Sequence, residues 1–307
     1  MQKKSAISRC RWAPLIEDYD RFLTAHRGLA PATRSAVQHH IYDYLKWQFG
    51  RRDADWSKVR PHAFWRYASD LSRRWKRSST NHALCSLRLF FRYLHLRGDC
   101  PPSFELAVPR VANYAATSDA GVLSATQRRR LLSRCQKQTS AESLRDYAMI
   151  LCMLDLGLRR SEVVRLRLSD VDFASGVLTV PAVKNGYSRQ LPLPSHVKAV
   201  LTRYLKRGRP ASDAGFVFVR HGPRQGEPLL PTMLSGMTGR LYRSCGFPDT
   251  RAGTHRLRHT FATRLFSRGA TLKQISDLLG HRWVQTSRRY THLDLNGLRA
   301  LARPWPV

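Results

Sequence analysis

Apolar residues recur at helical spacing through residues 12–98, and this period limits the first third of the chain to packed helices. Gly28, Gly50 and Gly98 follow three of the apolar stripes and are natural helix stops. The stripes are Leu15, Tyr19, Phe22 and Leu23; Val37, Ile41, Tyr44 and Leu45; Phe64, Trp65 and Ala68; and Leu84, Leu87, Phe91 and Leu94. Each stripe covers one face of a helix, so we predict a helical bundle domain over residues 10–100.

Prolines interrupt the helical period after residue 100. Pro101, Pro102 and Pro109 cannot continue a helix interior, because proline lacks the backbone N–H and its ring clashes with the preceding turn. With Gly121 behind them, these residues predict an interdomain linker over residues 101–122.

The pattern after the predicted linker begins with helices. Ser124 is followed three residues later by Gln127, the spacing of a capping box at a helix start. A long apolar run then predicts a helix from about Ser143 to Leu156, which Gly157 ends.

The period then changes from helical to alternating. Residues 176–180 and 190–193 alternate like strands, and Asn185 with Gly186 is typical of the hairpin turn between them. Helical patterns resume at about residues 195–207, 231–245, 255–268 and 272–279. We therefore predict a mainly α fold with a small antiparallel β-sheet, in which the helical bundle precedes a mixed α+β domain over residues 123–307.

The charge of the chain is strongly one-sided. Lysine and arginine number 53 against 21 acidic residues, which gives a net charge of +32. The basic residues are spread through segments that are predicted to fold, and such a surface favours a polyanion, above all nucleic acid, since neutralising phosphates releases counterions. A ribosomal-type protein and a membrane-surface protein are the weaker alternatives. Several of these residues lie beside the helical stripes of the first domain: Arg73, Arg74, Lys76, Arg77, Arg88, Arg92 and Arg97.

Cysteine usage and hydropathy limit the location of the protein. The six cysteines form no CxxC pair, so neither a zinc ribbon nor a thioredoxin-like motif is indicated. Free cysteines in apolar helices fit a reducing, cytoplasmic location, and no run of about 18 apolar residues predicts a membrane span.

Two short segments place an arginine near a residue that could help it to bind an anion. In the segment Gly157–Glu162, Arg159 and Glu162 lie three residues apart on one helical face, where the carboxylate could hold the guanidinium towards a phosphate. In the segment His255–His259, His255 and Arg258 share a face, and the lack of a glutamate argues against an HExxH zinc protease. A surface ion pair and an ordinary basic helix are the plain alternatives.

Two further residues are candidates because of their position. Gly280 closes a predicted helix just before His281, and Tyr290 follows nine residues later. Lys184 lies beside the predicted Asn185-Gly186 turn, where a lysine is ordinarily only solvated but could also reach into a groove.

Together, in this order and spacing, these segments resemble the tyrosine recombinases, which include the lambda-type phage integrases and the bacterial Xer recombinases. GLRRSE is similar to the first arginine box of that family, HRLRH to its second, and LGH followed by RRYTHL to its nucleophile segment. The stretch STNHALCSLRLFFRYLHLRG is similar to the family's core-binding domain. The resemblance covers nearly the whole chain, and it implies that residues 10–100 bind DNA and that residues 123–307 break and rejoin it.

The resemblance also implies a role for each candidate residue. Tyr290 would be the nucleophile, and Arg159 and Arg258 would clamp the scissile phosphate. Lys184 would be the general acid at the leaving 5′ oxygen, and His255 and His281 would bind the phosphate or assist proton transfer. Glu162 would support the first arginine box without touching DNA. No cofactor and no metal ion is implied, because cationic donors can stabilise the charge that develops on the phosphate.

The resemblance further implies double-stranded DNA as the partner and a tetramer on two paired sites, formed by this chain alone or with a related recombinase. Accessory DNA-bending or directionality factors are possible partners, and a nucleoid-associated bacterial location follows. Two alternatives stay open: a catalytically inactive DNA-binding protein and a type IB topoisomerase-like strand relaxer. The target sequence, and whether a phage, transposon, plasmid or chromosomal element is served, cannot be deduced from the chain.

Overall fold

A computed structural model describes residues 7–111, 121–181, 188–247 and 253–280. The chain divides into two compact units, residues 1–115 and residues 116–307. None of the described helices is both long and apolar enough to cross a bilayer.

The first unit is helical, as the apolar stripes predict. Its elements are α1 (Ala13–Arg27), α2 (Pro31–Phe49), a 3₁₀ turn (Trp56–Lys58), α3 (His62–Arg74), α4 (Arg77–Leu96) and α5 (Ser103–Ala107). Helix α4 packs against α2, α3 and α5, so it forms the centre of this bundle.

Aromatic rings fill the core of the bundle. Phe64 and Phe91 meet with ring centroids 4.9 Å apart, and Tyr44 and Tyr67 meet at 5.1 Å. These side chains are at most 1% exposed, so they stabilise the fold and are not available to stack on bases.

Two details of the predicted stripes are wrong. Trp65 is 65% exposed, because the buried face of α3 runs through Phe64, Tyr67, Ala68 and Leu71, and Trp65 points about 100° away from Phe64. In α1 the buried position is Ile16, whereas its neighbour Leu15 is only partly buried.

The first part of the predicted linker packs with the bundle. Helix α5 follows Pro102 directly, since proline is tolerated where a helix begins. Phe104 lies 5.5 Å from Phe64 and 5.6 Å from Phe91, measured between ring centroids, and Val108 is also buried. Phe104 and Val108 therefore add to the core of the first unit.

The second unit is mixed, as predicted. Its helices are α6 (Ala125–Gln136), α7 (Ala141–Leu154), α8 (Arg160–Val163), a 3₁₀ turn (Leu168–Asp170), α9 (Ser195–Arg207), α10 (Pro231–Ser244), α11 (Gly253–Phe266) and α12 (Leu272–Leu279). The predicted capping box is present at the start of α6, where the Gln127 backbone N–H donates to Ser124 Oγ at 3.1 Å. The predicted fold class, mainly α with a small antiparallel sheet, is confirmed.

The small sheet has three strands in the order β1-β2-β3, all antiparallel. Strands β2 (Val177–Val180) and β3 (Arg189–Pro192) lie where the alternation predicts them. Strand β1 (Val171–Asp172) is not evident in the sequence, because two residues are too few to show a period. The predicted Asn185-Gly186 turn lies outside the described residues.

Helix α7 is the central element of the second unit. Residues 148–154 are all at most 1% exposed, and the helix packs against α6, α9 and α11. A helix that is apolar on every side belongs in a core. Because α7 is packed against three other helices, its position is fixed. The segment that follows it at Gly157 therefore begins at a fixed place in the fold.

Replacing Ile150, which is fully buried in α7, by alanine is expected to lower the free energy of unfolding by about 2–5 kcal/mol, through lost burial and the cavity that remains. Chemical denaturation measures the loss. Leu230→Ala is the matched control, since Leu230 is 58% exposed and should change stability little. Equal effects of the two substitutions would contradict the central position of α7.

Candidate active site

Guanidinium groups from three different elements surround the carboxylate of Glu162. Arg159 Nη1 donates to Glu162 Oε1 at 2.8 Å, and Arg189 Nη2 donates to Oε2 at 2.9 Å. Arg258 Nη1 lies 3.7 Å from Oε2. Arg159 precedes α8, Arg189 begins β3 and Arg258 lies in α11, so the cluster joins parts of the chain that are far apart in sequence.

The carboxylate of Glu162 is fully used as an acceptor. Besides the two bonds above, Oε2 accepts from the backbone N–H of Arg159 at 2.7 Å, and Oε1 accepts from Arg189 Nη1 at 3.2 Å. A carboxylate offers about four acceptor positions, and these four bonds occupy them. The side chain is only 3% exposed, and a buried carboxylate is tolerated because it is paired in this way.

The same contacts decide the ionisation of Glu162. Burial by itself raises its pKa, but the hydrogen bond and charge of Arg189, the backbone N–H of Arg159 and the charge of Arg258 outweigh burial and hold the pKa below its ordinary value. Glu162 therefore stays negatively charged at neutral pH.

Gly157 brings the first arginine box into this position. It has a φ of 66°, and the backbone N–H of Leu158 donates to the carbonyl of Cys152 at 3.0 Å, which ends α7. A Cβ at Gly157 would lie 2.4 Å from the ring of Phe261 in α11. Glycine is required here both for its backbone conformation and for the close approach of α11.

The three arginines also bind the C-terminal end of α12. Arg189 Nε donates to the carbonyl of Leu278 at 2.8 Å, Arg258 Nη2 to that of Leu279 at 2.6 Å, and Arg159 Nη2 to that of Gly280 at 3.1 Å. The last carbonyls of a helix lack partners within it and carry the negative end of its dipole, so guanidinium groups suit them. These bonds fix the point from which the chain continues to His281.

The two arginines of the second arginine box, Arg256 and Arg258, have different partners. Arg258 is 5% exposed and also donates to the carbonyl of Gly157 at 2.5 Å. Arg256 points elsewhere: its Nε donates to the carbonyl of Gly121 at 2.8 Å, and its guanidinium lies over the rings of Tyr242 and Phe247. His255, one turn before Arg258, is exposed.

The cluster has a surplus of positive charge at its exposed edge. Three arginines and one glutamate give a net charge of +2. Arg159 has 34% of its side chain exposed, against 9% for Arg189 and 6% for Arg258. The arrangement can therefore offer prealigned guanidinium donors to an anion that approaches from the Arg159 side.

The candidate residues proposed from sequence divide into two groups. Arg159, Glu162 and Arg258 come together as described, with His255 one turn away on α11. Lys184, His281 and Tyr290 lie outside the described residues, and so does the segment 281–307 that contains the last two.

Arg189 belongs to none of the motifs that predict the site. The available signal was its position two residues before Leu191, which is 3% exposed, because residues two apart in a strand share a face. An arginine on the inward face of a short strand needs a buried acidic partner, which here is Glu162.

Three consecutive arginines, Arg128, Arg129 and Arg130, lie in α6. Arg129 and Arg130 are exposed. Arg128 Nη1 lies 3.8 Å from Asp155, the capping residue of α7, which also accepts a bond from Arg264 at 2.7 Å. Arg128 thus contributes to holding α6, α7 and α11 together.

Both units of the chain are similar to known integrases and recombinases. Residues 121–296 match the phage integrase family, and residues 16–98 match the phage integrase N-terminal SAM-like domain. The putative integrase/recombinase y4rA of Sinorhizobium fredii is 34% identical, over 95% of this chain and 70% of that relative. The tyrosine recombinase XerD of Proteus mirabilis is 31% identical, over 94% of this chain and 91% of that relative.

Solved structures show the same fold. The Tn1549 transposon integrase in complex with transposon right end DNA superposes with a TM-score of 0.73 at 23% identity, covering 93% of this chain and 97% of that one. A lambda integrase dimer bound to a COC′ core site superposes with a TM-score of 0.71 at 19% identity, covering 95% of this chain and 96% of that one. The chain belongs to the phage integrase family of tyrosine recombinases, as its motifs predict.

Glu162→Gln is expected to lower the free energy of unfolding by about 3 kcal/mol at neutral pH, because it leaves buried arginines without their counter-charge. The loss should be full above pH 4.5, the ordinary glutamate pKa, and should shrink as pH falls through the lower pKa of folded Glu162. Denaturant unfolding at several pH values measures it.

Glu142→Gln is the matched control. Glu142 also pairs with a buried arginine, Arg145, but its own side chain is 58% exposed, so its removal should cost little. A loss for Glu162→Gln that does not change with pH would contradict the role of its charge.

Proposed function

We propose that this recombinase cuts and rejoins duplex DNA at specific sites through Tyr290, with Arg159 and Arg258 holding the scissile phosphate. The observation that carries the proposal is the cluster of three arginines on Glu162, which has two positive charges in excess and an edge exposed at Arg159. Such a site has the positive charge and the guanidinium donors that favour binding of a phosphodiester.

In the proposed reaction the Tyr290 hydroxyl oxygen attacks the phosphorus, and its proton passes to solvent or to one of the two histidines, His255 and His281. The bond from phosphorus to the 5′ oxygen breaks, and Lys184 gives that oxygen a proton. The product is a 3′-phosphotyrosyl link and a 5′ hydroxyl, and attack of a 5′ hydroxyl reverses the step without ATP. The covalent link conserves the energy of the phosphodiester.

The other side chains act on the charge of the phosphate. Negative charge grows on the non-bridging oxygens during attack, and preorganised guanidinium donors lower the barrier by stabilising it there. His255 and His281 bind the same phosphate or assist proton transfer. Glu162 aligns the arginines and does not touch DNA. The arginines supply the positive charge that metal ions supply in other phosphoryl-transfer enzymes.

The proposed partner is double-stranded DNA, in keeping with the superposed Tn1549 integrase, which was solved in complex with transposon right end DNA. Four copies would act on two paired sites, either this chain alone or this chain with a related recombinase, and accessory DNA-bending or directionality factors could assist. The net charge of +32 supports a protein bound to DNA in the bacterial cytoplasm. The similarity to a transposon integrase supports a role in the movement of a mobile genetic element.

Tyr290→Phe is expected to abolish the covalent protein–DNA adduct on a nicked suicide substrate, because the attacking oxygen is gone. DNA affinity should change little, since basic side chains supply most of it. Denaturing gels measure the adduct and gel shifts measure affinity. If the variant still forms the adduct, Tyr290 is not the nucleophile.

Two further results separate the alternatives. No adduct with the unmodified protein would favour an inactive DNA-binding protein. Relaxation of a supercoiled plasmid that lacks paired sites would favour a topoisomerase-like activity.

Arg159→Ala is expected to slow single-turnover cleavage by about 10²–10³-fold, the cost of losing one oriented donor to a developing oxyanion. Rapid-quench measurements at saturating protein isolate this step from binding. Arg160→Ala is the control: the neighbouring guanidinium donates to Ser235 at 2.7 Å, so its loss should leave the cleavage rate largely unchanged. Equal rates for the two variants would contradict the phosphate-binding role of Arg159.

A further inference from the structure

We propose that Arg189 is a positioning residue for DNA cleavage. It joins Glu162 to the end of α12, and so fixes Arg159 and Arg258 relative to the chain that leads to His281, without itself binding phosphate. This inference rests on the proposed function, because it concerns the rate of the cleavage step.

The bonds of Arg189 reach two elements at once. Nη1 and Nη2 donate to the two oxygens of Glu162 at 3.2 and 2.9 Å, and Nε donates to the carbonyl of Leu278 at 2.8 Å. One rigid guanidinium thus sets the distance between α8, which carries Glu162, and the C-terminal end of α12.

The burial of Arg189 separates its role from that of Arg159. Its side chain is 9% exposed, whereas that of Arg159 is 34% exposed. Three of its five N–H donors are already used on Glu162 and Leu278. Burial alone does not distinguish it from Arg258, which is 6% exposed. The distinction is that Nε, Nη1 and Nη2 of Arg189 each donate to Glu162 or Leu278, which directs its guanidinium towards the protein, behind Glu162.

Gly280 has no side chain that would collide with the guanidinium of Arg189. A Cβ at Gly280 would lie 2.8 Å from Arg189 Nη1 and 3.3 Å from its Cζ. The glycine also caps α12 with a φ of 60°, so its left-handed backbone and its missing side chain are both used. The Arg189 guanidinium takes up the space that a side chain at Gly280 would need.

Lysine cannot replace Arg189 in this role. The interaction needs donors in a planar fork on one side and a third donor, Nε, on the other, whereas a lysine ammonium is a single point of charge. Arg189→Lys should keep the charge beside Glu162 and lose the bond to Leu278 or one of the bonds to the carboxylate. The proposal thus predicts that keeping the charge does not restore the rate.

The experiment compares Arg189→Met and Arg189→Lys with Arg145→Met. Arg145 is the matched control because its side chain is 6% exposed and binds two carboxylates, Glu142 and Asp146, away from the cluster. For each full-length variant, thermal unfolding, DNA affinity and single-turnover adduct formation on a suicide substrate are measured below the unfolding transition.

Both Arg189 variants are expected to slow adduct formation by about 10–100-fold, the range seen when a residue that holds a functional side chain in place is replaced. DNA affinity should change little. Arg145→Met should lower the unfolding temperature and keep the cleavage rate. If Arg189→Met does not fold, Arg189→Lys alone gives the answer. A folded Arg189 variant that cleaves at the unmodified rate overturns the inference.

A double-mutant cycle separates positioning from a merely structural effect. If Arg189 acts through the phosphate-binding arginines, the rate losses of Arg159→Ala and Arg189→Lys should combine to less than their product, because the part of the Arg189 effect that runs through Arg159 is already lost. Rate losses that multiply would overturn the inference even if each single variant is slow. If the unmodified protein forms no Tyr290-dependent adduct, the proposed function fails and the inference fails with it; if it does, only the Arg189 variants decide.

Discussion

One buried carboxylate holds the candidate site together. Three guanidinium groups close to one another repel, and without Glu162 the side chains of Arg159, Arg189 and Arg258 would spread towards solvent. The carboxylate costs free energy to bury, but four hydrogen bonds occupy its oxygens and keep it charged. The arginines are therefore already aligned in the folded chain, and in the proposed reaction this leaves little reorganisation to the moment of attack.

Local rules predicted most of the fold. The helical period located α1–α4 and the helices of the second unit within a few residues, and the spacing of Ser124 and Gln127 predicted the cap of α6. Arg159, Glu162 and Arg258 could be predicted as a group because the order of their motifs is specific to a family. The order of the motifs does not give the distances between these side chains. Those distances are seen only in the folded chain.

The features that were missed depend on contacts between distant residues. Strand β1 is two residues long and exists because β2 pairs with it. Phe104 is buried because α3 and α4 leave room for its ring, which no property of a proline-rich segment reveals. Arg189 has no motif of its own, and its importance becomes visible only when the sheet places it beside Glu162, 27 positions earlier in the chain.

The contacts of the site also determine when it can assemble. Arg159, Glu162, Arg189 and Arg258 all precede residue 278, yet the carbonyls that bind the three guanidinium groups belong to residues 278–280. During synthesis the chain emerges from its N-terminus, so the arginines exist for a time without these acceptors. A nascent or prematurely terminated chain that ends before residue 278 thus carries the basic surface but lacks the carbonyls that align the three guanidinium groups.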